Sequence, residues 1–150
     1  MFVEYKKNKL KQSELHLLLQ SDTDFDPNLS VRVNIEDYSK KIIENAELFE
    51  AYCNGKIAGV IAVYANDYVQ KNAYITYVYC KQEYRKMGIT ATLLKNVIDY
   101  VYNKEFKRIY LECSINNNAA VNLYKKFDFF VQNKNSNDRV IMLKNIIQED

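Results

Sequence analysis

The sequence predicts an α+β sandwich, a mixed sheet with helices on both faces. Three observations carry that expectation. The apolar pattern gives two helices, three strands, a helix, a strand, a helix and a last pair of strands, an order suited to layers packed on a mixed sheet. The dipeptide Asn54-Gly55 sits between two apolar runs and supplies the positive φ angles of a type I′ hairpin turn. A strand over Ala73–Lys81 is followed by a helix and then a strand over Arg108–Ser114, and a right-handed crossover makes those two strands parallel neighbours.

Each element follows from its own pattern. Leu10, Leu15, Leu18 and Leu19 share one side of a first helix, which stops at the polar run Ser21-Asp22-Thr23-Asp24. A loop to about Asn34 leads into a second helix over Ile35–Ala46, with Ile35, Tyr38, Ile42, Ile43 and Ala46 on one stripe. Glu47–Cys53 and Lys56–Tyr64 are the strands that flank the hairpin turn. Ala73–Lys81 is rich in β-branched and aromatic residues and reads as a central strand. Leu93, Leu94, Val97, Ile98 and Val101 recur at helical spacing over Ile89–Tyr102, directly after Gly88. Asn118–Phe127 is a short helix, and Phe129–Asn133 with Arg139–Leu143 forms a closing antiparallel pair that can support dimerisation at a sheet edge.

Composition narrows the function. At 150 residues the chain fits one domain over 1–150, and 48% hydrophobic against 27% charged residues is the balance of a globular protein. A net charge of +2 gives too weak a field for binding driven by nucleic-acid phosphates. No apolar run is long enough to span a bilayer, and Met1–Lys7 lacks the apolar core of a leader, so a cytoplasmic protein with no membrane partner is expected. Cys53, Cys80 and Cys113 are widely spaced and read as free thiols, with no zinc pairing. Asp22, Asp24 and Asp26 alternate as in a calcium loop, but Pro27 stands at the turn glycine and Val33 at the last carboxylate, so no metal is expected. His16, the single histidine, reads as a structural or surface residue of the first helix.

The chemistry-bearing segment lies between the Ala73 strand and the Ile89 helix. A helix that opens at the end of a strand aims unpaired N–H groups and the positive end of its dipole at one point. A pyrophosphate fits such a point. Arg85 and Lys86 add charge there, and Gly88 has no side chain to block close approach.

Tyr84-Arg85-Lys86-Met87-Gly88-Ile89-Thr90-Ala91, leading into Leu93-Leu94, resembles the acetyl-CoA loop of GNAT N-acetyltransferases. Leu111–Phe129 resembles the later motif of that family, with Asn117, Ala120, Leu123, Tyr124 and Phe129 in the family's places. The resemblance runs from about Leu48 to Leu143. Three residues depart from it: Lys86 and Asp128 stand where glycine is usual, and Thr90 replaces the last Gly or Ala of the loop. It implies the GNAT acyl-CoA acyltransferase fold, with a mixed central sheet of about six or seven strands. It also implies acetyl-CoA as cosubstrate, held by Arg85 to Ala91, by Asn117, Ala120 and Tyr124, and by the main chain of Val78, Tyr79 and Cys80 where two parallel strands part.

Transfer to an amine requires that amine deprotonated, although a free alkylammonium has a pKa of about 10.4. The resemblance makes Tyr124 the proton donor to the departing sulfur and Glu112 the base, the alternatives being a packed helix tyrosine and a solvated strand carboxylate; a base acting through ordered water, or a substrate that binds as free amine, fits equally. Cys80 raises an acyl-enzyme route, but no base partner is evident, so direct transfer in a ternary complex is expected. The loop between the first two helices lines the acceptor site in the family, which makes Asp24 and Phe25, with Tyr77, candidate substrate contacts, against helix capping and solvation as the plainer role of the loop carboxylates. Tyr64, Tyr68, Tyr74, Tyr77 and Tyr79 are expected on the strands that wall this cleft. The acceptor expected first is a small-molecule amine: an amino sugar, amino acid or polyamine. A protein N-terminus or lysine is the alternative, as is a non-catalytic acyl-CoA-binding module.

Overall fold

A computed structural model describes residues 2–22, 34–135 and 137–147. Seven strands form one sheet in the order β1-β2-β3-β4-β5-β7-β6. The strands are β1 (Val3–Lys7), β2 (Glu47–Cys53), β3 (Lys56–Asp67), β4 (Asn72–Cys80), β5 (Arg108–Ser114), β6 (Phe130–Lys134) and β7 (Arg139–Asn145). The described helices are α1 (Gln12–Ser21), α2 (Ile35–Asn45), α3 (Ile89–Asn103) and α4 (Asn118–Lys126). Only β4 and β5 run parallel; every other neighbouring pair is antiparallel. Among the described residues, no helix is long and apolar enough to cross a membrane.

The sheet separates two cores. On one face Leu15, Leu19 and Ile42 from α1 and α2 pack on Val60, Ala62 and Tyr77. On the other, Leu93, Leu94 and Val97 of α3 and Val121 of α4 pack on Ile61, Ile75 and Leu111. Burying these aliphatic side chains supplies the main favourable term for the sandwich. The hairpin turn forms as expected, with Asn54 and Gly55 at φ 51 and 75.

Two differences from the sequence reading concern the start of the chain. β1 is an edge strand that the apolar pattern does not mark, because Glu4, Tyr5, Lys6 and Lys7 are all exposed. Charged edges of this kind block further pairing. The first helix begins at Gln12, with Leu10 outside it, because the carboxylate of buried Glu50 accepts the N–H groups of Lys9 (3.0 and 3.1 Å) and Leu10 (3.0 Å) and holds them in a turn. The Tyr52 hydroxyl completes the shell of Glu50 at 2.8 Å. At the other end of the chain β7 lies inside the sheet, and β6 alone forms the edge.

Candidate active site

β4 and β5 begin side by side and then part. Their pairing runs from Asn72↔Arg108 to Ile75↔Leu111 and stops, although β4 continues to Cys80 and β5 to Ser114. The cause lies on the other edge of β4. Ala62 of β3 faces Tyr77 and Val63 faces Ile75, which leaves Thr76 as an extra residue in a bulge. A bulge bends its strand and strengthens the local twist. Tyr38 of α2 fixes it, donating to the Thr76 carbonyl at 2.7 Å and lying 2.6 Å from its hydroxyl. Past the bulge Tyr77 joins the α1–α2 core, while Ile75 belongs to the opposite one.

A cleft of about 1030 Å³ opens where the strands part, and Val78, Tyr79, Cys80, Glu112 and Tyr124 line it. The start of α3 forms part of its wall through Gly88, Ile89, Thr90 and Ala91. Gly88 is the N-cap, left-handed at φ 80, and offers no capping side chain. The first N–H groups of α3 therefore have no side-chain acceptor and open on the cleft, which is what a phosphate needs. Lys86 is also left-handed, at φ 64. Arg85 is folded back, its Nε donating to the Cys80 carbonyl at 3.1 Å, which ties the loop to the end of β4. Met87 lies outside the lining and is 55% exposed.

Gly59, which sequence reading passed over, places this helix. It sits in β3 opposite Cys80, and a Cβ there would lie 3.1 Å from the Tyr79 carbonyl and 3.2 Å from Ile89 Cγ2. A side chain there would press on α3 and on the sheet backbone, and glycine lets them approach this closely without a shift.

Glu112 is held from two sides. Arg139 Nε donates to Oε1 at 2.9 Å, and Asn135 Nδ2 to Oε2 at 3.4 Å. Both partners come from the β6–β7 hairpin, which also binds the end of β5 through Ile115 N–H to the Asp138 carbonyl at 2.8 Å. An ionised carboxylate has about four acceptor positions, and these bonds occupy two of them.

Tyr124 lines the same cleft from α4 and packs in the α3–α4 core. It is 5% exposed, and burial, then the nearby Cys113 thiol, push its phenol well above the ordinary tyrosine range. Its proton is thus retained at any pH near neutrality. Asn117 is the N-cap of α4, its Oδ1 accepting from Ala120 N–H at 3.2 Å. It ends in a Schellman motif: Phe129 N–H reaches the Tyr124 carbonyl and Asp128 N–H the Lys125 carbonyl, both at 3.0 Å. Asp128 takes the left-handed position at φ 68, and the Phe129 ring packs 5.8 Å from that of Tyr124.

Burial pushes the Cys80 thiol up, and a hydrogen bond with Thr90 and the charge of Arg85 draw it part of the way back. A thiol pushed up is held in its protonated, less nucleophilic form. Asp22, 4% exposed at the end of α1, also lines the cleft and accepts from the Tyr77 hydroxyl at 2.6 Å. Burial first, then Asp22, push the Tyr77 phenol far up. Tyr77 is therefore a buried support for Asp22. Asp24 and Phe25 lie outside the described residues. Of the tyrosines expected to wall the cleft, Tyr74, Tyr77 and Tyr79 do so. Tyr64 borders a separate hollow instead, and Tyr68 sits beyond β3 in a turn, its ring edge-on to Phe106 at 5.4 Å. Among the described residues, no group of three or more His, Cys, Asp or Glu side chains is placed to hold a metal ion.

Comparison with known proteins agrees with this architecture. The chain belongs to the Acetyltransferase (GNAT) family, whose model matches residues 14–129. It is 32% identical over 91 residues to "Probable N-acetyltransferase san" of Drosophila melanogaster, covering 59% of this chain and 50% of that protein. It is 32% identical over 98 residues to "N-alpha-acetyltransferase 50" of Danio rerio, covering 63% of this chain and 58% of that one. The match thus spans little more than half the length of these curated relatives. In fold it resembles PaiA N-acetyltransferase of Thermoplasma acidophilum, solved with coenzyme A, at a TM-score of 0.72 and 19% identity over 97% of this chain and 99% of that one.

Proposed function

We propose that the chain is an acetyl-CoA-dependent N-acetyltransferase that moves the acetyl group directly to a primary amine, the α-amine of a polypeptide. The observation that carries this reading is the parting of β4 and β5 beside an uncapped helix N-terminus. The N–H groups at Ile89, Thr90 and Ala91 would hold the diphosphate, and the main chain of Val78, Tyr79 and Cys80 the pantetheine arm.

Within this reading the ammonium loses its proton to Glu112, directly or through water, and the amine nitrogen bonds to the thioester carbonyl carbon. The tetrahedral intermediate collapses with loss of the carbon–sulfur bond, Tyr124 gives its phenolic proton to the sulfur, and the second proton shed by the new amide nitrogen restores the phenol through solvent. Glu112 suits the first role because Arg139 and Asn135 fix its direction and leave lone pairs open. Tyr124 suits the second because it is protonated and already faces the cleft. Replacing Tyr124 by phenylalanine is expected to lower kcat by about 10²-fold or more with little change in acetyl-CoA affinity. An unchanged kcat removes Tyr124 from the mechanism.

Of the acceptor classes open to the sequence, a small amine came first. The relative named for N-alpha-acetyl transfer supports the polypeptide α-amine instead. A thiol-release assay on amino sugars, free amino acids, polyamines and six-residue peptides tests this. Turnover confined to small amines overturns the polypeptide acceptor. Binding of acetyl-CoA without turnover on any amine overturns catalysis and leaves a binding module.

A further inference from the structure

The sheet face that carries Glu112 also carries a row of large side chains in register. Ladder pairing sets Tyr64 of β3 opposite Tyr74 of β4, Tyr74 opposite Tyr110 of β5, Tyr110 opposite Leu143 of β7, and Leu143 opposite Phe130 of β6. Paired residues in a sheet point to the same side. None of the five belongs to the two packed clusters on either side of the sheet, although Leu143 is itself buried, at 7% exposure, and forms the floor between Tyr110 and Phe130. Tyr74 and Phe130 are 40% and 46% exposed. A hollow of about 320 Å³ sinks into the row between Tyr64, Tyr74, Tyr110 and Ile141.

The row joins the reaction cleft. Tyr74 lines both the cleft and the hollow, and Glu112 stands two residues from Tyr110 on the same face of β5. Two residues along a strand span about 7 Å. One end of the row is closed, because Lys41 of α2 lies over the Tyr64 ring at 5.4 Å. The other end is open at Phe130 on the edge strand β6. From Glu112 to Tyr110 and across two strand spacings to Phe130 the path is about 16 Å, which about five extended residues cover.

We propose that this row, from Tyr74 through Tyr110 and Leu143 to Phe130, is the docking track for the acceptor polypeptide beyond its reactive amine, and that it selects apolar or aromatic residues at about the third to fifth positions. The inference rests on the polypeptide acceptor proposed above. An acceptor fits this surface better than a second copy of the chain does, because a protomer seated over Tyr74 would close the mouth through which an amine reaches Glu112. Flat aromatic rings offer contact area at low entropic cost to the peptide that lies on them. A small amine, by contrast, has no atoms to place there.

The test is a length series. Peptides of two and six residues with the same first two residues, and Leu or Phe at positions three to five of the longer one, are compared by kcat/KM in wild type and in Phe130→Ser, with Tyr110→Ser as a second variant. The long peptide is expected to exceed the short one by about tenfold in wild type, and the ratio to fall below about threefold in either variant. As a check independent of turnover, the N-acetylated six-residue peptide is expected to inhibit wild type competitively against the acceptor and to lose at least threefold in potency against Phe130→Ser. A length ratio near one in wild type, or one that survives both substitutions, overturns the track. So does a dimer in sedimentation that Phe130→Ser converts to monomer while the length ratio stands. No turnover of any peptide beside turnover of small amines would instead sink the acceptor reading itself.

Discussion

Replacing Gly59 by alanine tests whether the sheet holds the first turn of α3 where a diphosphate can reach it. The new Cβ would meet the Tyr79 carbonyl oxygen at 3.1 Å, Ile89 Cγ2 at 3.2 Å and Leu93 Cδ1 at 3.4 Å. The carbonyl belongs to the sheet backbone and has no rotamer to change. Ile89 and Leu93 are both buried, at 2% and 1% exposure, so neither side chain can swing into solvent. The least costly response is for the start of α3 to move away from β3 by a few tenths of an ångström. Overpacking of this kind costs about 1–3 kcal/mol, which for a chain of this length is roughly 3–10 °C in Tm. Because Ile89 is also the first residue of α3, its N–H moves with it. Coenzyme A affinity is then expected to fall three- to tenfold, about 0.7–1.4 kcal/mol. Differential scanning calorimetry reads the first quantity and titration calorimetry with coenzyme A the second. A variant with Tm within about 1 °C of wild type and the same Kd refutes the reasoning. A lower Tm with unchanged Kd would keep the packing argument and break its link to the anion site.

Three further outcomes follow from the same geometry. Arg139→Gln is expected to lower kcat about tenfold, in line with the roughly 1.5–3 kcal/mol of a hydrogen bond to a charged group, while acetyl-CoA Kd stays the same and Arg139→Lys recovers part of the loss; equal kcat in all three proteins would mean that orientation of Glu112 does not matter. Thr90→Gly should leave acetyl-CoA binding within about tenfold, or about 1.4 kcal/mol, because the Thr90 hydroxyl bonds to the Cys80 thiol; a larger loss by calorimetry would make that hydroxyl a phosphate ligand. Stability should fall as pH rises above about 10, since the folded chain keeps the protons of Tyr77 and Tyr124 that the unfolded chain has released; a Tm that falls no more steeply in wild type than in Tyr124→Phe between about pH 10 and 11 would count against the raised phenol.

The parts of this fold that were legible in the sequence are those whose residues bury one face. β5 runs over Arg108–Ser114 as its pattern predicts, and α3 starts at Ile89, immediately after the glycine that marks it. β1 escaped because an edge strand can be charged on both faces and still pair through its backbone. The bulge at Thr76 escaped for a different reason. Tyr74-Ile75-Thr76-Tyr77-Val78-Tyr79 suits a strand at every position, so an extra residue leaves no mark in composition. Its trace lies in spacing: Ile75 and Val78 face one core three residues apart, where a regular strand would place them two or four apart. Arg139 and Glu112 lie 27 residues apart, and only the β5–β7 register brings them together. Asp22 was visible only as one of three alternating carboxylates, and its burial against Tyr77 depends on a contact across 55 residues.

Two of the three departures from the family pattern share a backbone conformation. Lys86 and Asp128 stand where glycine is usual, and both adopt the left-handed angles that glycine would have supplied, at φ 64 and 68. An L-residue pays for that conformation with about 1–2 kcal/mol, less for Asp than for most others. At Asp128 the cost is offset by two backbone hydrogen bonds and by the Phe129 ring against Tyr124. At both positions the backbone takes a conformation that glycine adopts most readily. That is the expected pattern if the chemistry depends on main-chain N–H groups and on the direction of one tyrosine. The same dependence suits a glycine at position 88: it is the helix cap, and a serine or aspartate there would turn its own oxygen onto the N–H groups left open for the phosphate.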